Sequence, residues 1–458
     1  MNTLLSIFAH PYFIVFSYIV AGGFAISGLD DLLFDGLYFK WRINRFFNRK
    51  RIRNFTIHSL EPHKEHRIAI LVPCWRESSV IGRMVHNAIK TIKYSNYSII
   101  LGVYPNDKPT LIAARKLIKR FPEHVKIIVN QKPGPTTKAD NLNSTFIALE
   151  TIEGKNPFSI IITHDSEDVV HPYSLRVFNY LISQRKKHMV QIPVLPLSMP
   201  WWELIHWTYA DEFSENHLRH MITREHIGAF VPSAGVGTAY DRTSLETLEK
   251  HHGRVFNDES LVEDYHSAIE LHHTGHGTIF ATMFTDRGEI VATRSIFPRH
   301  YREAIRQKTR WITGIALQTW QQTGWQGDVK MKYCLFRDRK QVITGSLNLF
   351  GYIILIPFFI LPFFFEINPI HHIPIILWYL FLFDTLLFLL RIILRMSAVS
   401  VFYGFGNSIL VPIRYVMGNF INFSASVRAI HHFFFRPNRQ SIPWDKTSHE
   451  FPTQAMLK

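Results

Sequence analysis

Two long apolar runs in the last third of the chain restrict its fold more than any other feature. Residues 342–365 and 373–394 are each long enough, as α-helices, to cross a bilayer core of about 30 Å. A shorter apolar run near the amino terminus, 11–28, is just long enough. The sequence therefore predicts a membrane protein whose long polar segment lies between its first and second spans.

A cluster of basic residues follows the first apolar run. Its members are Lys40, Arg42, Arg45, Arg49, Lys50, Arg51 and Arg53. A cleaved signal peptide is an alternative for the run itself, but the segment ahead of it lacks Lys and Arg. By the positive-inside rule, the cluster predicts that the polar segment is cytoplasmic and that the amino terminus lies outside.

The stretch 403–430 is apolar but carries polar and basic residues, among them Asn407, Arg414 and Arg428. Such a stretch is able to span the membrane, to re-enter it or to lie in its interface. The basic residues after it favour a cytoplasmic carboxyl terminus. With two spans after the polar segment, this places 403–430 at the interface. The basic residues are Arg436, Arg439 and Lys446.

The composition limits the classes of partner. The formal net charge is +15, which suits nucleic acid, an anionic membrane surface or anionic substrates. Because the basic residues flank apolar runs, we favour membrane lipid and expect no nucleic-acid partner. The two cysteines, Cys74 and Cys334, show no C-x-x-C spacing, so no disulfide framework or zinc site is predicted.

The polar segment alternates short apolar runs with amphipathic helical stretches. This alternation predicts an α/β fold with a doubly wound, mainly parallel sheet. Ligands of such sheets bind at the carboxyl ends of the strands, where the polar motifs of this chain stand. The predicted strands are 68–72, 98–103, 125–129 and 159–163, and the first helical stretches are 79–94 and 108–121.

An acidic cluster follows the fourth predicted strand. Asp165 and Glu167 stand two residues apart, a spacing that suits one hard divalent cation, Mg²⁺ or Mn²⁺, bound together with a diphosphate. Asp168 is an alternative ligand to Glu167. The competing interpretation is an acidic loop that caps the next helix.

Two further motifs carry candidate chemistry. Glu263 and Asp264 begin a helical stretch, and Asp264 is a candidate general base, although acids in a first turn are also favoured by the helix dipole. Gln307, Arg310 and Trp311 share one helix face, where Arg suits a diphosphate and Trp a sugar ring. An interfacial helix anchored by Trp is the competing interpretation.

Backbone signals add two more candidates. Lys138 follows the turn 133–137, from which it is able to reach phosphate or ribose. Gly235 and Gly237 allow the backbone to approach a sugar closely. Either segment alone is also explained as an ordinary turn.

The order of these motifs resembles the family-two inverting glycosyltransferases of GT-A fold, whose relatives include cellulose, chitin and hyaluronan synthases. Asp165 and Glu167 resemble the metal-binding D-x-D motif, with Glu as its second acid. Glu263 and Asp264 resemble the T-E-D base motif, with Val262 in the place of Thr. Residues 307–311 fit Q-x-x-R-W fully.

Segments along the whole chain also resemble the NfrB-type phage-adsorption proteins, a family of bacterial membrane glycosyltransferases. In that family, longer members carry a cyclic-di-GMP-binding domain beyond the part that corresponds to this chain. Segment 444–447 stands where related synthases have a gating loop. The shared segments are 26–31, 104–107, 133–136, 211–213, 231–238 and 444–447.

The resemblance implies a role for each matching residue. Asp264, with Glu263 beside it, is the expected base, and Asp165 and Glu167 are the expected metal ligands. Gln307, Arg310 and Trp311 are expected to hold the acceptor end and the diphosphate. The expected donor-binding residues are Pro73, Glu77, Asp107, Lys138, Asp140, Gly235 and Gly237.

The activity implied is transfer of a sugar, with inversion, from a UDP-sugar to a growing polysaccharide at the bacterial inner membrane. An outer-membrane or periplasmic partner is expected to assist export. Transfer of one sugar to a polyprenyl phosphate, and a non-catalytic scaffold or phage-receptor component, are the alternatives. The predicted divisions are 1–54 (first span and basic segment), 55–297 (GT-A domain), 298–335 (interfacial helices), 336–435 (membrane helices) and 436–458 (cytoplasmic tail).

Overall fold

The structure is a computed structural model that describes residues 10–48, 57–365, 373–435, 450–453 and 456. Several predicted features fall elsewhere in the chain. The basic residues 49–53, the loop 366–372, the basic tail residues and segment 444–447 lie outside the described residues.

The polar segment forms the predicted α/β domain. Its strands are β1 (Ile68–Pro73), β2 (Tyr97–Val103), β3 (Val125–Val129), β4 (Ile160–Thr163), β5 (Met189–Gln191), β6 (Val194–Pro196), β7 (Thr238–Asp241), β8 (Thr278–Phe280) and β9 (Thr293–Ser295). The four strands predicted from the apolar runs are β1 to β4.

The main described sheet has the order β3-β2-β1-β4-β7-β5-β8, and β6 pairs with β9 beside it. Strand β7 runs antiparallel to both of its neighbours, whereas the other pairs are parallel. The sheet is therefore mixed but mainly parallel. Its parallel core brings the carboxyl ends of β1, β2 and β4 to one edge.

The helices around the sheet and beyond it follow the chain in order. Helix α1 (Pro11–Phe47) precedes the α/β domain. The helices of the domain are α2 (Ile81–Thr91), α3 (Lys108–Arg120), α4 (Lys138–Ile147), α5 (Glu150–Glu153), α6 (Ser174–Asn179), α7 (Leu204–Glu215), α8 (Met221–Ile227), α9 (Arg242–His252) and α10 (Glu263–His273). After the domain come α11 (Tyr301–Ile312), α12 (Thr319–Thr323), α13 (Val329–Arg339), α14 (Gln341–Phe365), α15 (Ile375–Tyr403), α16 (Phe405–Ser408) and α17 (Val411–Phe435). Short 3₁₀ and π turns complete the set: Ile57–Leu60, Tyr180–Gln184, Asn216–His220 and Thr313–Gln318.

The central strands are apolar throughout because both faces of the sheet are covered. Every residue of β1 and β2 is buried. Ile68 and Ile70 pack in one hydrophobic cluster, whereas Ala69 and Leu71 pack in the cluster on the opposite face. This is the burial pattern that a continuous apolar run predicts for a covered parallel sheet.

Three described helices are long and apolar enough to cross a membrane: α1, α15 and the part of α14 that ends at Phe358. The first is longer than predicted, because the helix continues through much of the basic segment to Phe47. Helix α17 presents Ile413, Phe420 and Val427 on one exposed stripe and buries Arg414 on another side. Its place at the interface, like the predicted division of the chain, stays a prediction.

Arg391 of α15 pairs with acids of two other helices. It stands seven residues after Asp384, on roughly the same helix face, but its guanidinium contacts Asp35 of α1 and Glu215 of α7, at 3.5 and 3.3 Å. The Asp384 Oδ1 atom is buried without a hydrogen-bond partner among the described residues. Two carboxylates from neighbouring helices outcompete one acid on the same helix for the arginine.

Candidate active site

A cavity of about 850 Å³ lies at the edge of the sheet, between the strand ends and α11. Its lining also includes Gln341 of α14 and Arg428 of α17. Most of the residues predicted from sequence line it: Pro73, Glu77, Lys138, Asp165, Glu167, Glu263, Asp264, Gln307, Arg310 and Trp311. Motifs almost 240 residues apart in the sequence thus line one cavity.

The acidic cluster after β4 is joined to the start of α4. Thr137 caps α4 by accepting a hydrogen bond from the Asp140 backbone at 3.1 Å, which fixes the first turn that carries Lys138. The Lys138 Nζ atom lies 2.6 Å from Asp165 Oδ1. Burial opposes the charge on Lys138, but Asp165, Glu263 and Asp264 together raise its pKa. Lys138 is therefore a fixed cation at the centre of the acidic wall.

The five-residue acidic segment divides into two parts. The Asp168 side chain is 2% exposed, and its Oδ2 atom lies 2.8 Å from His164 Nδ1 and accepts a hydrogen bond from the Asp165 backbone. Burial raises the pKa of Asp168, and His164 opposes that rise. Asp165 and Glu167 are more exposed to the cavity. This geometry favours them over Asp168 as cation ligands.

The donor set of the acidic wall fits a hard divalent cation only in part. Among residues 10–48, 57–365 and 373–435, no group of three or more His, Cys, Asp and Glu side chains converges as a metal site. Two carboxylates do face the cavity, and carboxylate oxygens are ligands that Mg²⁺ and Mn²⁺ accept. The remaining positions suit a diphosphate and water.

Glu263 and Asp264 begin α10 and are close to the Lys138 ammonium. Burial, and then the charge of Asp264, raise the pKa of Glu263 to about 7. Burial also raises the pKa of Asp264, although Lys138 and Arg310 oppose the rise. A carboxyl group with a pKa raised in this way is a better proton acceptor than an exposed aspartate.

Gly235 lets the backbone pass directly over Asp264. Its φ is +73°, and a Cβ atom built there would lie 2.7 Å from Asp264 Oδ2 and 3.4 Å from Lys138 Nζ. A left-handed backbone and a close approach both require glycine at this position. Gly235 is thus adjacent to the candidate base.

Helix α11 supplies the opposite wall. Arg310 Nε and Gln307 Oε1 are buried and have no hydrogen-bond partner among the described residues. Unpaired polar atoms at a cavity wall are costly unless a ligand or water satisfies them. The Trp311 ring lies 6.0 Å from the rings of both Tyr209 and Phe213.

The π turn after α11 holds the loop that carries the candidate base. Gln318 Oε1 accepts a hydrogen bond from the Leu261 backbone at 2.9 Å, and Gln318 Nε2 donates one to the Glu259 carbonyl at 2.6 Å. A Cβ atom at Gly314 would lie 2.7 Å from Val262. One continuous helical segment therefore positions both the Q-x-x-R-W residues and the loop before Glu263.

Four predicted donor-binding residues are not among those that line the cavity: Gly235, described above, and Asp107, Asp140 and Gly237. Asp107 is buried and accepts hydrogen bonds from the backbones of Arg76 and Thr110, as the cap of α3. Asp140 pairs with Lys132 at 3.0 Å. Gly237 packs against Thr293. Their contacts with a donor stay predictions.

Sequence analysis missed Gln191, which organises the glycine loop. This buried residue at the end of β5 accepts hydrogen bonds from Ala234 N and Thr238 Oγ1, each within 2.8 Å, and donates one to Val236 O at 3.0 Å. The sequence signal that could have identified it is a polar glutamine at the end of a short apolar run. Sequence analysis also missed further charged and polar residues that line the cavity, which include Arg299, Glu303, Arg306, Arg428, His432 and Glu450.

The mainly parallel sheet with a cavity at its strand ends is the arrangement expected of a glycosyltransferase of GT-A fold, and comparison with known families agrees. The sequence model of the family described as "Glycosyltransferase like family 2" matches residues 66–314, more than half of the chain. The chain therefore belongs to this family of glycosyltransferases.

Two curated relatives are similar over nearly the whole chain. They are bacteriophage adsorption protein B of Escherichia coli (strain K12) and bacteriophage N4 adsorption protein B of Escherichia coli O157:H7. Each is 34% identical over 455 residues, covering 93% of this chain and 61% of the relative. The chain thus spans about three fifths of the length of these relatives, and the resemblance to NfrB-type proteins is confirmed.

A solved structure of similar fold is the mannosyltransferase PcManGT from Pyrobaculum calidifontis, in complex with GDP-Man and Mn²⁺. The TM-score is 0.55 at 14% identity, and the match covers 90% of this chain and 99% of the other. This likeness, together with the sheet order, confirms the predicted GT-A fold.

Proposed function

We propose that this protein transfers a sugar, with inversion, from a nucleotide-sugar donor to a growing polysaccharide. One observation carries the proposal: Asp165, Glu167, Asp264 and Arg310 line a single cavity in a chain whose described residues include three candidate membrane helices. These residues provide the charges that a departing diphosphate and an attacking hydroxyl require.

The donor diphosphate is expected to bind between the two walls of the cavity. Arg310 and Lys138 provide positive charge for it, and the two carboxylates Asp165 and Glu167 are suited to hold Mg²⁺ or Mn²⁺. A bound cation would neutralise negative charge on the leaving nucleoside diphosphate. Lys138 would exchange part of its contact with Asp165 for the phosphate.

The proposed reaction is one in-line displacement. Asp264 accepts the proton of an acceptor hydroxyl as that oxygen bonds to the anomeric carbon, and the bond from that carbon to the diphosphate breaks on the opposite face. Inversion follows because only one displacement occurs. Trp311 is placed to stack on the acceptor sugar, and its ring is held by Tyr209 and Phe213.

The cellular setting of the proposal rests on the helices and the relatives. The candidate spans α1, α14 and α15, with the basic segment after α1, support a multi-pass protein of the bacterial inner membrane with a cytoplasmic α/β domain. The relatives are named for bacteriophage adsorption, and an exported polysaccharide is one kind of surface ligand for a phage. An export partner in the periplasm or outer membrane is part of this proposal.

The test uses the full-length protein, purified in detergent and incubated with Mn²⁺ and a panel of UDP- and GDP-sugars. Nucleotide release and the size of the glycan product are measured. We expect release from one donor, a polymeric product and loss of both in Asp264→Asn. Asp258→Asn, an exposed carboxylate outside the cavity, is the matched control.

Each other result contradicts a specific part of the proposal. Release from none of the donors by the wild-type protein argues for a non-catalytic scaffold. A single sugar recovered on an extractable lipid phosphate argues for the polyprenyl phosphate reaction. Full activity in Asp264→Asn would show that Asp264 is not the general base.

A further inference from the structure

Helix α7 carries three consecutive residues, Asp211, Glu212 and Phe213, that belong to the segments shared with the NfrB-type family. They lie about 95 residues before α11 in the sequence. In the structure, Glu212 contacts Lys308 and Phe213 contacts Trp311 within the Q-x-x-R-W segment of α11, and both residues also border the cavity.

The contact of Glu212 is a closed ionic network. Lys308 Nζ lies 2.7 and 2.6 Å from the two Glu212 oxygens and 2.8 Å from Asn422 Oδ1. Asn422 Nδ2 donates a further hydrogen bond to Glu212 Oε1 at 3.1 Å. The Lys308 side chain is only 4% exposed, and each of its three ammonium hydrogens has an acceptor oxygen on Glu212 or Asn422.

Both partners in this network remain charged. Burial opposes ionisation of Glu212, but Lys308 and Arg395 outweigh it and lower the pKa of the carboxyl group. Burial lowers the pKa of Lys308, and Glu212 offsets part of that effect. An ion pair of this kind is costly to break from one side, because the remaining charge is left buried.

The contact of Phe213 is aromatic. Its ring lies 6.0 Å from the Trp311 ring and 5.0 Å from the Phe297 ring. Tyr209, one turn earlier on α7, completes the support at 6.0 Å from Trp311. These rings determine where the face of Trp311 can point, since an aromatic cluster of this density leaves few rotamers.

Lys308 lies inside the motif whose other residues face the cavity. Because Gln307 and Arg310 flank it on the same helix, a fixed Lys308 sets the rotation of α11 about its axis, and with it the direction of both cavity side chains. A small space of about 140 Å³ borders Glu212, Lys308 and Asn422, so packing alone does not fix this side of the helix.

We propose that Glu212 and Phe213 are positioning residues that hold the Q-x-x-R-W face of α11 in register with the acceptor and the diphosphate. The inference rests on the proposed function. It adds that α7, which carries none of the residues proposed above for the reaction, controls acceptor binding through Lys308 and Trp311.

The test compares Glu212→Gln, Phe213→Leu and the double variant Glu212→Gln/Lys308→Met with wild type in the full-length protein. The double variant leaves no unpaired buried charge and is expected to fold. We expect the acceptor KM to rise roughly 10- to 100-fold in all three, with the donor KM changed less than about threefold, as misplacement of binding groups predicts.

Asp211→Asn is the matched control. Asp211 is on the same helix and is more deeply buried than Glu212, with 2% of its side chain exposed against 26%, and it pairs with Arg414 of α17 at 2.8 Å. A purely structural role for the α7 ion pairs predicts the same kinetic change in Asp211→Asn as in Glu212→Gln. We expect the control to lower thermal stability while leaving the ratio of acceptor KM to donor KM near that of wild type.

Hydrogen exchange supplies a readout that needs no substrate. Amides of 301–312 are expected to exchange faster in the double variant than in Asp211→Asn, with β1 unchanged. If this exchange and the acceptor KM both match the control, the inference is wrong. If the wild-type protein transfers no sugar but α11 still loosens selectively, the positioning contact stands and the proposed function fails.

Discussion

Gly235 shows how one residue defines the space at the candidate base. Its left-handed φ of +73° and the 2.7 Å approach to Asp264 leave no room for a side chain. We expect Gly235→Ala to reduce sugar transfer by more than tenfold, because the methyl group displaces the Asp264 carboxylate, and to cost about 1 kcal/mol in backbone strain. Transfer rates and urea unfolding measure the two effects separately.

Gly253 provides the matched control for that substitution. It also has a left-handed φ, +70°, but a Cβ atom there would meet nothing within 4 Å. Gly253→Ala should therefore reproduce the strain without the loss of activity. Equal loss in both variants would show that strain, and not the contact with Asp264, controls the rate.

The paired acids Glu263 and Asp264 predict the acid side of the pH profile. Burial raises both pKa values, that of Glu263 to about 7, so the pair is protonated at a pH where exposed carboxyl groups are ionised. We expect kcat/KM to fall with decreasing pH in a range above that of exposed carboxyl groups, since protonation of the coupled pair removes the base.

Lys138 tests the cause of that pH profile. Its charge lowers both pKa values, so Lys138→Met should move the acid limb of kcat/KM to higher pH, beside any loss of donor affinity. Lys155→Met, at an exposed position outside the cavity, should leave the limb in place. A limb near pH 4 in the wild-type protein contradicts the assignment of this pair.

At the scale of elements, the candidate site depends on one helical segment that contributes to both walls of the cavity. Residues 301–323 carry Gln307, Arg310 and Trp311 and then hold the loop 259–262 through Gln318. Neither wall is therefore independent of the other.

Loss of the Gln318 contact should lower kcat with little change in donor affinity. Gln318→Leu removes two hydrogen bonds, which together stabilise the loop by about 1–3 kcal/mol. We expect kcat to fall at least fivefold while nucleotide binding, measured by calorimetry, is retained. The exposed Gln321 on α12 is the control, and a fall of the same size in Gln321→Leu would mean that α12 as a whole is the cause.

Over the whole molecule, ion pairs join the α/β domain to the membrane helices. Glu215 of α7 contacts Arg391 and Arg395 of α15. Asp30 and Asp31 of α1 contact Arg337 of α13 and Lys340, which lies between α13 and α14. These contacts hold the helices against the α/β domain that carries the candidate active site.

Membrane topology can be measured with introduced cysteines, because the native Cys74 and Cys334 are both buried. We expect a membrane-impermeant maleimide to label Tyr12→Cys, at the exposed start of α1, in cells with an intact inner membrane. Lys250→Cys, on the surface of α9, should be labelled only after that membrane is opened. Labelling of Lys250→Cys in intact cells would place the α/β domain outside.

Much of the fold is readable from local patterns. Continuous apolar runs predict β1 to β4, of which β1, β2 and β4 are buried throughout and the edge strand β3 is partly buried. Long apolar runs predict α14 and α15. Motif spacing predicts Asp165, Asp264 and Arg310 as cavity residues. The strands β5 to β9 were not predicted, since most contain only three residues and have no periodicity of their own.

What the sequence by itself determined is therefore the apolar and polar segregation of the chain, the mainly parallel sheet and the polar residues that stand at the strand ends. The tertiary structure decided which of those residues face the cavity and which, like Asp107 and Asp168, are used by neighbouring backbone or histidine. It also decided the partners of Arg391 and Lys308. The physical reason is that periodicity encodes which side of an element is buried, whereas an ion pair depends on which distant element packs against that side.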